Sequence, residues 1–281
     1  MIMFFIVVIA VGWLFATAMN DVTILYIAII FSLFMNFFSY WFSDKIVLGM
    51  YKAKEISRGS HPDLWNIVEN LSITGGLPMP KVYIIVDSAP NAFATGRNKE
   101  HAAVAVTTGL LGMLSRTELE GVIAHELSHI GNRDILLSTV IIVLVGFVSI
   151  LSQMFIRGTA MFGFRERDSR GNGNVIFMIL GLFFAVLAPF AVMLIHLAVS
   201  RRREYLADAS GALLTRYPEG LASALEKIGS YSGELKNANN ATAHLFISNP
   251  FGHHKISSLF ATHPAIADRI RILRGMPRQI H

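Results

Sequence analysis

Apolar residues follow two different rhythms along this 281-residue chain. Four windows, residues 1–19, 22–42, 135–156 and 175–200, lack Asp, Glu, Lys and Arg for long enough to cross a bilayer as helices. Only Asn20 and Asp21 separate the first two, and no Lys or Arg precedes the first, so a helical hairpin fits better than a cleaved signal peptide. Elsewhere the pattern is that of a folded domain. Residues 61–71 predict a helix closed by Gly75-Gly76 before Pro78 and Pro80. Residues 81–86 and 101–107 predict strands, and 219–228 a further helix, whereas 237–240 reads as a loop. Ser115-Arg116-Thr117-Glu118 has the form of a capping box, and Val122, Ile123 and Ile130 extend an apolar stripe behind it, which predicts a helix through residue 130.

Composition agrees with the windows. The chain is 53% hydrophobic and 15% charged, with a mean hydropathy of +0.51, too apolar for an ordinary soluble domain. The net charge of +5 sits largely in basic residues flanking the windows, with no basic-aromatic interleaving or nucleic-acid motif, so a bilayer is the expected partner and nucleic acid is not. The absence of cysteine is compatible with a reducing compartment.

The chemistry lies on the helix after Ser115. His125-Glu126-Leu127-Ser128-His129 places two imidazoles four residues apart, one turn above the other, where both rings reach one tetrahedral metal ion and Glu126 stands beside it. The alternative is two surface histidines on an ordinary helix. A zinc site needs a third protein ligand, and Glu204 and Asp208, again four apart, offer one carboxylate to bind metal and another to orient a ligand histidine. The same pair also fits a solvated helix face just outside a membrane.

Taken together, the motifs resemble the HtpX-type membrane zinc metalloproteases, relatives of the CAAX prenyl proteases, over nearly the whole chain. The matching stretches are Asn91-Ala92-Phe93-Ala94-Thr95-Gly96, the helix of His125 and His129 continuing into Asn132-Arg133-Asp134, Ser200 through Asp208, and a late His263-Pro264 with Arg269. The resemblance implies that His125, His129 and Glu204 bind one Zn²⁺ per chain, that Glu126 is the general base, and that Asp208 supports the ligands. It also implies that His263 and Arg269 line the active site, His263 as an oxyanion stabiliser, and that Asn91, Ala92, Phe93 and Ala94 lie on an edge strand that docks an extended substrate. Read from the residues alone, Ala89-Pro90-Asn91 fits a turn into a loop equally well. Ala265 stands where many relatives repeat proline.

The fold expected is mostly α with a small β-sheet: four transmembrane helices and a zincin-type, gluzincin-like protease domain. Residues 1–44 form a first membrane hairpin and 135–200 a second. Residues 45–134 and 201–281, about 170 residues together, form one protease domain split by that hairpin. The ligands assemble only if the third and fourth windows make an even number of crossings, a condition that two crossings meet and one alone would break. Lys45, Lys52, Lys54, Arg58, Arg133 and Arg201 to Arg203 then favour a cytoplasmic domain, consistent with a cell inner membrane. The activity expected is zinc endopeptidase, with misfolded or damaged membrane proteins as the substrates the resemblance implies. Prenyl-peptide processing and a non-catalytic, metal-stabilised scaffold or chaperone are the alternatives. A site-2-type intramembrane protease is disfavoured, because Glu118, Glu120, Arg133 and Asp134 surround the motif and no Asp-Gly pair exists for its later ligand.

Overall fold

The computed structural model describes residues 2–141, 201–231 and 264–276. Windows one and two form helices α1 (Ile2–Met19) and α2 (Thr23–Met50). The polar pair between them makes the turn: Asn20 is left-handed at φ 53°, and Asp21 Oδ1 accepts the Thr23 N–H at 2.9 Å. A Cβ on Gly12 would lie 2.4 Å from Ala28 Cβ, so the two helices touch there. Among the described residues α2 is the helix long and apolar enough to span a membrane, and Ile27, Ile30, Phe34 and Phe37 lie exposed on it, as a lipid-facing surface requires.

One difference from the pattern follows. The helix does not stop near residue 42 but carries Asp44 and Lys45 on to Met50. Its last turn finds a second core, where Val47, Leu48 and Tyr51 pack on Ile85, Phe93, Ala103 and Ala105, with the Tyr51 and Phe93 rings 5.6 Å apart. Tertiary packing thus extends the helix past its charged residues. Of the third window only residues 135–141 are described, and they are helical; the fourth window and the loop expected at 237–240 lie outside the described residues.

The sheet is small and mixed, in the order β1-β2-β4-β3. β2 (Lys81–Ile85) runs parallel to β4 (Ala102–Thr107), and β3 (Ala92–Gly96) lies antiparallel to β4 with Ala94 opposite Val104. β1 (Lys54–Glu55) adds a short outer strand on β2. Gly96 closes the β3–β4 hairpin at φ 140°, where a Cβ would meet the His101 carbonyl at 2.3 Å.

Helices cover the sheet. α3 (Pro62–Thr74) ends at Gly75-Gly76, Gly76 being left-handed at φ 61°. After the short α4 (Thr108–Met113) come α5 (Arg116–Gly131), α6 (Arg201–Thr215), α7 (Pro218–Ser230) and α8 (Ile266–Arg274). One core joins them: Leu64, Val68, Val104, Val122, Leu127, Leu221, Leu225 and Leu273 are all buried in it. Each fully buried aliphatic side chain of this size contributes about 1.5–3 kcal/mol.

Candidate metal centre

α5 is the axis of the site, and its ends are fixed by charge. Glu118 Oε2 accepts the Ser115 N–H at 2.7 Å, as the capping pattern predicts, and also binds Lys227 Nζ of α7 at 2.7 Å. Val122, Ile123, Leu127 and Ile130 bury one face in the core. A Cβ on Gly211 of α6 would lie 3.0 Å from the His125 backbone nitrogen, so α5 and α6 approach backbone to backbone at the first histidine. That closeness brings Glu204 and Asp208 over His125 and His129.

The two Nε2 atoms stand 3.2 Å apart. Glu204 Oε1 is 3.6 Å from His129 Nε2, and Oε2 is 3.8 Å from His125 Nε2. Tetrahedral zinc with bonds of about 2.0–2.2 Å sets its ligand atoms about 3.3–3.6 Å from one another, so these three side chains form a nearly closed zinc-sized triangle. The far side of each ring explains the convergence. His125 Nδ1 lies 3.0 Å from Asp208 Oδ1, close although not aligned with the ring N–H, and His129 Nδ1 lies 3.3 Å from Asp134 Oδ2. A carboxylate behind each ring favours the hydrogen on Nδ1, the tautomer that turns the Nε2 lone pairs toward Glu204.

Arg269 of α8 closes the deep side. Its Nε donates to Asp208 Oδ2 at 2.8 Å and its Nη2 to Oδ1 at 2.6 Å, a two-pronged pair in which both partners are 1% exposed. Nη1 finds no hydrogen-bond acceptor and stands 3.7 Å from Glu204 Oε2. Beside the triangle, Glu126 Oε2 accepts the Ala94 N–H of β3 at 2.9 Å.

The electrostatics are those of a cation site. Four carboxylates, Glu126, Asp134, Glu204 and Asp208, outnumber two guanidinium groups, Arg203 and Arg269, leaving an excess of negative charge that a cation would offset. Burial pushes the Glu126 carboxyl up from its usual range. Burial alone would lower His129, but hydrogen bonding to Asp134 and the charges of Glu204 and Glu126 lift it to about 9, a measure of the negative field around the ring. Burial would raise Asp208, yet His125 and Arg269 hold it at about 2.

The structure therefore brings together His125, Glu126, His129, Glu204, Asp208 and Arg269. Ala92 to Ala94 lie on β3, an edge strand of the sheet, and Asn91 directly precedes it rather than belonging to it; all four are buried. The outward Ala94 N–H is taken by Glu126, and Gly96 N–H makes a long 3.4 Å contact to Thr139 Oγ1. His263 lies outside the described residues. Asp134 was visible in the sequence only as part of a motif, without a role; the available signal was a carboxylate in the turn that closes the HExxH helix.

Three comparisons bear on this geometry. The model described as Peptidase family M48 matches residues 60–277. A protease HtpX homolog of Thermoanaerobacter pseudethanolicus is 48% identical over 276 residues, 97% of this chain and 92% of that protein. One from Tropheryma whipplei (strain Twist) is 52% identical over 241 residues, 85% of this chain and 81% of that protein. The crystal structure of S. mikatae Ste24p is similar in fold, with a TM-score of 0.53 at 20% identity, covering 94% of this chain and 62% of that one.

Proposed function

The chain belongs to peptidase family M48 and is a membrane metalloprotease, and we propose that His125, His129 and Glu204 hold one Zn²⁺ while Glu126 acts as general base. The observation that carries this reading is the convergence of two Nε2 atoms and one carboxylate within zinc spacing, with a second, buried carboxylate alongside. When bound, zinc supplies Lewis-acid polarisation of the attacking water and the scissile carbonyl. Glu126 takes the water's proton and delivers it to the leaving amine nitrogen as the C–N bond breaks. The Ala94 N–H fixes Oε2, so Oε1 is the oxygen that receives that proton. Burial raises its pKa above the ordinary carboxylate value, which makes it a stronger proton acceptor.

Arg269 and Asp208 keep His125 oriented, and His263, which precedes Pro264 at the approach to α8, supplies the oxyanion donor in this scheme. Asn91 to Ala94 line the side on which an extended substrate docks, with the Ala94 N–H held by Glu126 rather than by substrate. The substrates in this reading are membrane proteins undergoing quality control. Residues 1–44 and 135–200 are the two membrane hairpins, and residues 45–134 and 201–281 the cytoplasmic protease domain, in a cell inner membrane. A cysteine at Ser230 should then resist an impermeant thiol reagent in intact cells; ready labelling there would invert the topology.

Casein cleavage and metal content, measured on detergent-purified protein, test the chemistry. Glu126→Gln should lose at least about a hundredfold in turnover while keeping one equivalent of zinc. Wild-type-like turnover by that variant, or turnover that survives complete metal removal by a chelator, would refute the mechanism.

A further inference from the structure

Two carboxylates flank the imidazole pair, and Asp208 accounts for only one of them. The other depends on how α5 ends. Asn132 N–H bonds the Ser128 carbonyl at 2.8 Å, Arg133 N–H the Ile130 carbonyl at 3.2 Å, and Asp134 N–H the His129 carbonyl at 2.9 Å. Arg133 sits at φ 63°, a left-handed conformation that strains a non-glycine residue. That turn folds the chain back beneath the helix, so Asp134, five residues beyond His129, reaches the ring at 3.3 Å. Its second oxygen, Oδ1, faces Arg203 Nη1 at 3.7 Å, and Arg203 directly precedes Glu204 on α6. A strained turn thus holds one carboxylate against both the ring of one ligand and the residue adjoining another.

We propose that Asp134 is a positioning residue for the metal centre, accepting the Nδ1–H of His129 so that Nε2 keeps its lone pair, and tying Arg203 so that α6 presents Glu204. This rests on reading His125, His129 and Glu204 as the metal site. An imidazole without such a partner interchanges its two N–H tautomers and rotates about χ2, and only one of the resulting arrangements aims Nε2 at its counterpart on His125, 3.2 Å away. Asp134 thereby does for His129 what Asp208 does for His125, from the opposite side of the site and from a turn rather than a helix.

The test is metal binding by full-length, detergent-purified protein, with Co²⁺ and Zn²⁺ titrated against a competing chelator. Asp134→Ala should weaken affinity about ten- to hundredfold, the usual scale for loss of a carboxylate behind a ligand histidine, and should change the Co²⁺ absorption spectrum. Arg203→Ala should weaken it less. If Asp134→Ala fails to fold, as judged by thermal melting, the isosteric Asp134→Asn is read instead, with a loss of about tenfold expected. A folded Asp134 variant with affinity within twofold of wild type and an unaltered Co²⁺ spectrum overturns the proposal. His129→Ala separates this from failure of the site itself: if it also binds metal like wild type, the metal-site reading falls; if it loses metal while the Asp134 variants do not, only the positioning role falls.

Discussion

The two histidines of the site are held by the same device built at two depths. Behind His125 stand Asp208 and Arg269, both 1% exposed and joined by two bonds of 2.6 and 2.8 Å. Behind His129 stand Asp134 and Arg203, with side chains 13% and 25% exposed and a closest approach of 3.7 Å between them. In the first pair both charges are shut away from water, so each depends on the other. In the second, solvent screens whatever the pair fails to satisfy. The deep flank is also assembled from distant parts of the chain, since Arg269 arrives on α8 and forms only when the domain has folded around it. The shallow flank comes from a local turn and the first turn of α6. One histidine is therefore fixed by the core, the other by the rim.

The sharpest way to break this contrast is Arg269→Ala, which leaves Asp208 buried without its guanidinium. A loss of about 3–5 kcal/mol is expected in chemical denaturation, with zinc lost as well. A cost below about 1 kcal/mol would mean that the deep flank is no more demanding than the shallow one. Acid gives a second handle. Asp208 is held at about 2, below its ordinary 3.8, so the stability it contributes is complete above the ordinary value and disappears as pH falls from there through about 2. Thermal melts of wild type and Asp208→Asn between pH 5 and 2 should show a shallower acid decline in the variant; parallel curves would remove Asp208 as the source. The smallest effect belongs to the rim. Arg203→Ala should cost less than about 1 kcal/mol of stability, and a larger loss in denaturation would show that the exposed pair bears more than its geometry indicates.

The same contrast explains what the sequence discloses. His125, Glu126, His129, Glu204 and Asp208 were legible because helical spacing of three and four residues is itself the signal, and Arg269 through the family resemblance. Asp134 was not, because its contact depends on a left-handed Arg133, and nothing in an arginine announces that conformation. Strands 81–85 and 102–107 and helices 62–74 and 218–230 appear within a few residues of expectation, where β-branched runs or flanking Pro and Gly mark their ends. The extension of α2 to Met50 was hidden, since it depends on Phe93 and Ala105 from elsewhere in the chain. The β1 pairing of Lys54 and Glu55 with Tyr83 and Ile84 left no periodic trace, being two residues long.

That extension of α2 turns the helix into a measuring rod. Trp41, with the Arg97 guanidinium 4.4 Å from its ring centre, is the kind of aromatic that settles at the headgroup level. Tyr51 packs at a tilt against Phe93, beside the Ala94 whose N–H binds Glu126. Ten residues of helix separate them, a height of at most about 15 Å. An extended chain covers that height in about five residues at roughly 3.3 Å each. We therefore expect a tethered substrate to be cut once about five residues separate its membrane exit from the scissile bond, and to escape when the spacer is shorter. A series of single-span reporters with spacers of graded length, mapped for cleavage position, measures that threshold; cutting that ignores spacer length would show that the rod sets no limit.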